Sequence, residues 1–542
     1  MRNPRLLSSL LLLLLPAMGY AQSVASGSDL TQIVVTSLVV LFLIIIVMLV
    51  ANSFLKVEAQ SMGVSKTGQG FGIIPSMDQL FAKNLPRGVN KNDVHFLSQG
   101  FDIKLQGEAA KRVIPKSGKT YAIKPTNFIG MSPIPKVVPE IGQSVQAGDV
   151  LFFDKKNPDV KFVAPVSGEV IEINRGEKRS IASIVILADA EISHKKHSTP
   201  SLTGGRQAIV DFMLEAGVWP MLRQRPYNVV ATPTETPKSI FISTFDSAPL
   251  APDLGFVVQG REAAFQKGLD VLNALTPGDV NLGLDGAANS AKAFSNAQGV
   301  KKHYFRGQHP AGNVGIHIHH VDPVSADQVV WTAGVQDVIT IGQLFLNGTF
   351  DATRYVAITG AELKSPAYAK TFLGAKISDL LDGQLMSDAD NIRIVSGDVL
   401  SGQKVEADDY LNFYDDQLTE LEEGDYYEMF GWLLPIAPRP TTSGTFPNKL
   451  YGSDYKFKAD TNSHGEKRAF VLTGHYEKVL PMDVLPQELM KAIMANDFER
   501  MEGLGIYELV EEDVAICEFT CVSKQPLQSI LREGLDVMRE QG

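Results

Sequence analysis

The chain has 542 residues, a formal net charge of -11 and two cysteines. That length predicts several domains with ample core. The acidic balance, with no basic run, excludes the electrostatics of nucleic-acid binding. Two cysteines exclude a disulfide framework and suit a reducing compartment.

Arg2 and Arg5 precede a largely apolar run at 6–15, and Gly19-Tyr20-Ala21 puts small residues where a signal peptidase reads, so residues 1–21 form a signal-peptide-like segment. No cysteine follows, which excludes a lipoprotein anchor. Residues 33–55 are rich in Val, Leu and Ile and carry no charge, which predicts one transmembrane helix. Asp29 is the sole charge between the two runs, whereas Lys56, Lys66, Lys83 and Arg87 follow the second. The positive-inside rule then places the soluble body in the cytoplasm, at the inner membrane, whether or not the first segment is cleaved. Residues 56–95, glycine-rich at 68–72, read as a tether.

The body reads as α/β and multidomain. Residues 96–190 predict a small β-barrel, with strands at 145–152 and 163–170 joined by glycine-centred turns. The pattern resembles biotinyl and lipoyl carrier domains. Lys155 and Lys156 lie near the hairpin tip, but Asp154 and Asn157-Pro158 beside them match no modification motif, so the barrel is expected to carry no prosthetic group. Across 205–360 helical and strand patterns alternate: a helix at 208–216, a buried strand at 239–243, and a helix at 262–274 closed by the turn Thr276-Pro277-Gly278-Asp279. This implies an open, largely parallel sheet. Within it, 305–325 holds His309, His317, His319 and His320, four of the ten histidines. Gly307 to Gly312 reads as a loop, and the alternation of Val314, Ile316 and Ile318 with His317 and His319 reads as a strand with an imidazole face. Residues 370–410 read as helix, strand and turn. Residues 411–480, with Tyr426, Tyr427 and Trp432, read as β-rich. Residues 484–542 read as helical, at 487–501 and 527–538.

The histidine stretch carries a family resemblance. Gly307-x-His309-Pro310-Ala311-Gly312-x-x-Gly315-x-His317-x-His319, followed by Pro323-Val324-Ser325, resembles the A subunits (NqrA) of the sodium-translocating NADH:quinone oxidoreductases. The resemblance runs from about Leu85 to the C-terminus through Asp154-Lys155-Lys156-Asn157-Pro158, Ala164-Pro165-Val166-Ser167-Gly168, Gly342-Gln343-Leu344-Phe345-Leu346, Ser396-Gly397-Asp398, Phe430-Gly431-Trp432 and Tyr476-Glu477-Lys478-Val479. It implies a Rossmann-like domain at 205–360, related to the NADH- and flavin-binding subunit of respiratory complex I and to the RnfC protein of the Rnf complex, and a β-grasp module at 370–410. Family members are peripheral subunits without a span, so the anchor is a departure.

The resemblance implies a quinone-related role beside a membrane subunit, with NADH, flavins, the iron–sulfur centre and the sodium path on partner subunits. His309, His317 and His319 are the candidate donors to a quinone carbonyl. Phe128 and Met131, with Phe152 and Phe162, are candidates for an apolar wall. The competing reading is a membrane-tethered enzyme holding its own flavin. The relatives' phosphate loop falls here on Glu215-Ala216-Gly217-Val218-Trp219-Pro220-Met221-Leu222-Arg223, which has one glycine, and Gly283 and Gly286 form no G-x-G-x-x-G. No cofactor is therefore expected on this chain. Nor is a metal: no cysteine or carboxylate lies at ligand spacing beside His317 and His319, and Cys517-x-x-x-Cys521 lacks the four thiolates of a cubane cluster.

Overall fold

The computed structural model describes residues 27–61, 85–86, 88–90, 93–386, 391–431, 438–442, 451–452, 454–471 and 473–541. The signal-like segment 1–21, the glycine-rich stretch 68–72 and Trp432 lie outside the described residues. The chain divides into two compact units, 1–81 and 82–542.

In the first unit, Gly27–Ser61 is one helix of 35 residues. Its segment Ile33–Leu55, with mean hydropathy 3.4, is apolar on every side and exposed along its length. At about 1.5 Å per residue such a segment is about 35 Å long, enough for a bilayer's hydrocarbon core.

The second unit holds the barrel, two larger sheets and a helical end. The barrel is made of two small antiparallel sheets. One has strand order Thr120–Ile123, Ile181–Ala188, Gly168–Arg175, Ser144–Val145; the other has Lys136–Val137, Val150–Asp154, Asn157–Val163. Leu151, Phe152, Val166, Val170 and Ile184 fill the space between them. The expected strand at 163–170 is two strand ends with a crossing between. Pro165 has no N–H to give a ladder, and a Cβ at Gly168 would lie 1.9 Å from the Leu187 carbonyl oxygen. The expected strand at 145–152 likewise turns at Gly148, which has φ +96. Lys155 and Lys156 form the tip between Val150–Asp154 and Asn157–Val163.

The seven-stranded sheet runs in the order Val94–Phe96, Lys301–Arg306, Asp279–Asp285, Ser239–Ser243, Val330–Thr332, Arg223–Arg225, Val229–Val230. The first five are mutually parallel, and Arg223–Arg225 runs antiparallel to both of its neighbours, Val330–Thr332 and Val229–Val230. Alternation along Ser239–Ser243 divides its faces: Ile240 and Ile242 join the core under Arg206–Glu215, Glu262–Leu275 and Val335–Asn347, while Phe241 faces the other way. The helices Glu262–Leu275 and Val335–Asn347 touch backbone to backbone. A Cβ at Gly268 would lie 2.1 Å from Val338 O, and one at Gly342 would lie 1.8 Å from Ala264 O.

The six-stranded sheet runs Gln403–Val405, Ile392–Ser396, Gln417–Glu422, Thr353–Gly360, Ala367–Phe372, Ala110–Pro115. Gln417–Glu422 is the sole named strand among the described residues of 411–480, so the described part of that region is not β-rich; its tyrosines sit in loops. The helical end comprises Pro486–Met494, Phe498–Gly503, Glu511–Thr520 and Leu527–Gln541. The single helix expected at 487–501 is two: Asn496 takes a positive φ of 51, and the Asp497 side chain caps the next helix on Arg500 N at 3.2 Å.

Replacing Gly342 by Ala should overpack the helix pair and cost about 1–3 kcal/mol. A thermal midpoint unchanged from wild type would show that the two backbones are not in forced contact.

Candidate functional site

The histidine stretch is not a strand. Residues Val314–Val321 form a helix, entered from Asn313 in extended conformation after the loop that ends at Gly312. Val314, Ile318 and Val321, spaced i, i+4, i+7, pack on Phe241, Val324 and Val330 of the sheet side. Ile316 points instead into the core of the helical end. Two apolar faces on one short, largely buried helix produce the alternation that reads as a strand.

Its imidazoles take part in this packing. His317 is fully buried, and its ring stacks on Phe305 at 3.9 Å; Phe305 stacks on His95 at 4.7 Å, and Phe245 lies 5.6 Å from the other side of His317. The His317 Nε2–H donates to the Ala311 carbonyl at 2.8 Å. A Cβ at Gly283 would lie 2.2 Å from His317 Nδ1, so the glycine makes room for the ring. Burial holds His317 and His320 down to about 3 and His95 to about 4, all neutral at physiological pH. The His320 Nε2–H donates to Pro481 O at 2.8 Å. His319 receives the Asp483 N–H on Nε2 at 3.0 Å, which fixes its proton on Nδ1, where it donates to Glu508 Oε2 at 2.7 Å. His309 is buried: its backbone N–H donates to Asp102 Oδ1 at 2.9 Å, and its Nδ1 meets Ser247 Oγ at 3.1 Å.

A buried charge cluster completes the fastening. Arg225, 2% exposed, donates through Nη2 to Glu512 Oε1 at 2.8 Å and lies 3.6 Å from Asp513 Oδ2. Asn313 Nδ2 donates to Glu512 O at 3.0 Å. A Cβ at Gly315 would lie 2.4 Å from Asp513 Oδ2, so the helix Val314–Val321 admits Asp513 only through a glycine. Burial pushes Asp513 up to about 7 against the pull of Arg225. The strand order reverses at Ser239–Ser243, and the carboxyl ends of the parallel strands beside such a point are the usual ligand position in such sheets. Asp246 follows this strand; the protein around it, with Asp398 and Glu512 near, pushes its carboxyl up to about 7.

The stretch that aligns with a phosphate loop is packed core. Trp219, Met221 and Leu222 are buried, Trp219 Nε1–H donates to Ala231 O at 2.7 Å, and its ring meets Trp331 edge-on at 5.3 Å. Among the described residues no three His, Cys, Asp or Glu side chains group as metal ligands. Cys517 and Cys521 are buried and unbonded to each other, the latter 2.9 Å from Tyr476 Oη.

The barrel candidates lie elsewhere. A cleft of about 210 Å³ is lined by Phe128, Met131, Phe162, Val230, Thr232 and Arg539, among others. The Arg539 guanidinium lies over Gly130, whose φ is +81. The Phe128 ring is anchored by Phe162 at 4.3 Å and Phe413 at 4.9 Å. The structure thus brings Phe128 and Met131 together at an opening, and none of His309, His317 and His319 lines it. Phe152 is buried inside the barrel. Sequence reasoning missed His95, Arg225, Asp246 and Arg539, whose partners are remote in the chain; only the pairing of Arg225 with a following proline marked an unusual position.

Three family models match in succession: the NqrA N-terminal barrel-sandwich hybrid domain over 96–189, the NqrA second alpha/beta domain over 205–350 and the NQRA C-terminal domain over 355–407. The A subunit of the Na(+)-translocating NADH-quinone reductase of Alcanivorax borkumensis is 37% identical over 454 residues, 82% of this chain and 99% of that protein. The chain belongs to the NqrA family. The proteins of the same name from Vibrio alginolyticus and Saccharophagus degradans are 35% and 38% identical over the same shares of both chains. Within the NqrA fold of this chain, then, come a barrel-sandwich domain, an α/β domain and a C-terminal domain, and the helix Gly27–Ser61 precedes all three matched domains.

A histidine kept neutral by burial takes up a proton on unfolding once the pH is below about 6.5. Its contribution is therefore present above that pH and lost as the pH falls toward about 3. Asp246 and Asp513, raised to about 7, act in the opposite sense, so a difference is the readout. Going from about pH 7.5 to about pH 5 should cost wild type about 1–2 kcal/mol more than His317→Phe. Parallel pH profiles of the thermal midpoint would contradict the burial of a neutral His317.

Proposed function

We propose that this chain works as the NqrA component of a respiratory sodium-translocating NADH–quinone reductase, non-catalytic alone and associated with the quinone step. The observation that carries this is the alignment over 99% of the length of two relatives bearing that name. In this reading NADH, the flavins and the iron–sulfur centre reside on partner subunits, and a membrane subunit is the chief neighbour. The competing reading, a tethered enzyme with its own flavin, is disfavoured by the packed Trp219–Met221 turn. The five parallel strands with helices between them support a Rossmann-like domain related to the complex I NADH-binding subunit. The mixed sheet beside Ile377–Leu381 supports a β-grasp module.

Quinone is assigned to the barrel cleft in place of the histidines. Phe128, Met131 and Phe162 supply apolar surface, and Thr232 and Arg539 supply donors for a carbonyl oxygen. His309, His317 and His319 act by holding the fold. The Lys/Arg asymmetry supports a single span at Ile33–Leu55 with a cytoplasmic body.

Thr232→Trp should fill the cleft and raise the KM for quinone about 5- to 100-fold, as loss of about 1–3 kcal/mol of pocket contact would, while NADH oxidation by an artificial acceptor stays unchanged. Unaltered quinone kinetics in the assembled complex would remove the cleft from the reading. An alkaline phosphatase fused after Gly542 should be inactive in the periplasmic assay; activity there would reverse the topology.

A further inference from the structure

Just after the strand Gln417–Glu422, residues 424–431 hold four large apolar side chains in solvent: Tyr426 is 43% exposed, Tyr427 98%, Met429 83% and Phe430 57%. Single exposed apolar residues are ordinary, but a contiguous group of this kind marks an interaction surface. The loop is held from beneath. Glu428, its side chain 6% exposed, pairs with Arg439, whose guanidinium also donates to Gly431 O. The Tyr426 hydroxyl donates to Asp460 Oδ2 at 2.7 Å, and Asn462 Nδ2 donates to Tyr426 O at 2.7 Å. Phe430 takes φ +58, a conformation an aromatic residue rarely adopts without support. Tyr427 and Met429 are therefore presented on a rigid scaffold, which lowers the ordering cost of binding.

The surroundings indicate the kind of occupant. Asp425 is exposed on the loop, and Glu422, Glu423 and Asp460 flank it. The neighbouring cations are engaged, Arg439 with Glu428, Lys458 with Glu362 and Glu422, and Arg393 and Lys404 with Glu423, which leaves Asp425 and Asp460 as the rim carboxylates with no Lys or Arg ion pair among the described residues. This acidic rim is repelled by an anionic bilayer surface and complements a basic protein rim. Tyr and Met are also side chains enriched at protein interfaces.

We propose that Tyr427 and Met429 dock into an apolar, basic-rimmed pocket on another subunit of the reductase, an inference that rests on the NqrA reading above. The test replaces Tyr427 by p-benzoylphenylalanine in the full chain, expressed with its complex in native membranes and irradiated. An adduct joining this chain to one other subunit is expected. An adduct with lipid only, or no adduct although the other subunits co-purify with the chain, overturns the docking proposal alone. Failure of the unsubstituted chain to co-purify with any other subunit overturns the NqrA reading and the docking proposal with it. As a second measurement, the double substitution Tyr427→Ser and Met429→Ser should weaken retention of that subunit at least tenfold with the thermal midpoint unchanged; unchanged retention contradicts the proposal.

Discussion

The body depends on how one eight-residue helix, Val314–Val321, is clamped between the seven-stranded sheet and the helical end. The clamp is made of rings. His317 stacks on Phe305, lies near Phe245 and packs against Gly283, a position that any larger residue at 283 would close. Aromatic stacking of this kind contributes about 0.5–1.5 kcal/mol per pair beyond the buried area. An imidazole here, rather than a phenyl ring, also gives the Ala311 carbonyl a donor inside the protein. The neutral state follows from the same burial, so the ring carries no charge at physiological pH.

The second half of the clamp is ionic. Arg225 and Asp513 are nearly inaccessible, and a buried pair of this sort contributes little net stability compared with apolar packing, while loss of one partner costs about 3–5 kcal/mol. Its effect is therefore on specificity. Only Gly315 lets Asp513 approach, and only with Asp513 in place is the first turn of Glu511–Thr520 aligned with Arg225. These contacts join the α/β domain to the C-terminus, and Arg539 of the last helix in turn closes the barrel cleft over Gly130. The cleft thus owes its shape to three separate parts of the chain.

Much of this architecture is legible in the sequence. The strand Ser239–Ser243 and the helix Glu262–Leu275 fall where a short apolar run and a 3.6-residue period place them. Phe128 and Met131 are legible as cleft residues because aromatic and thioether side chains suit such surfaces. The helix Val314–Val321 is not, because a helix packed on nearly every side has no polar face to declare its period. The Arg225–Glu512 contact spans 287 positions, and no local pattern reports a partner that far away. The exposed tyrosines after Gln417–Glu422 read as strand residues by propensity, yet the buried Glu428–Arg439 pair holds them in a loop.

The contacts of the histidine helix are those of a clamp. Hydrogen exchange on a Gly315→Val variant tests this most directly, because valine drives the helix away from Asp513 while leaving all the histidines in the chain. A clamp predicts faster exchange in Glu511–Thr520 and Leu527–Gln541, unchanged protection in the barrel strands Val150–Asp154 and Asn157–Val163, and NADH oxidation and quinone reduction falling together as the complex loses this subunit. Unchanged protection in the two C-terminal helices, with quinone reduction alone lost, would contradict it.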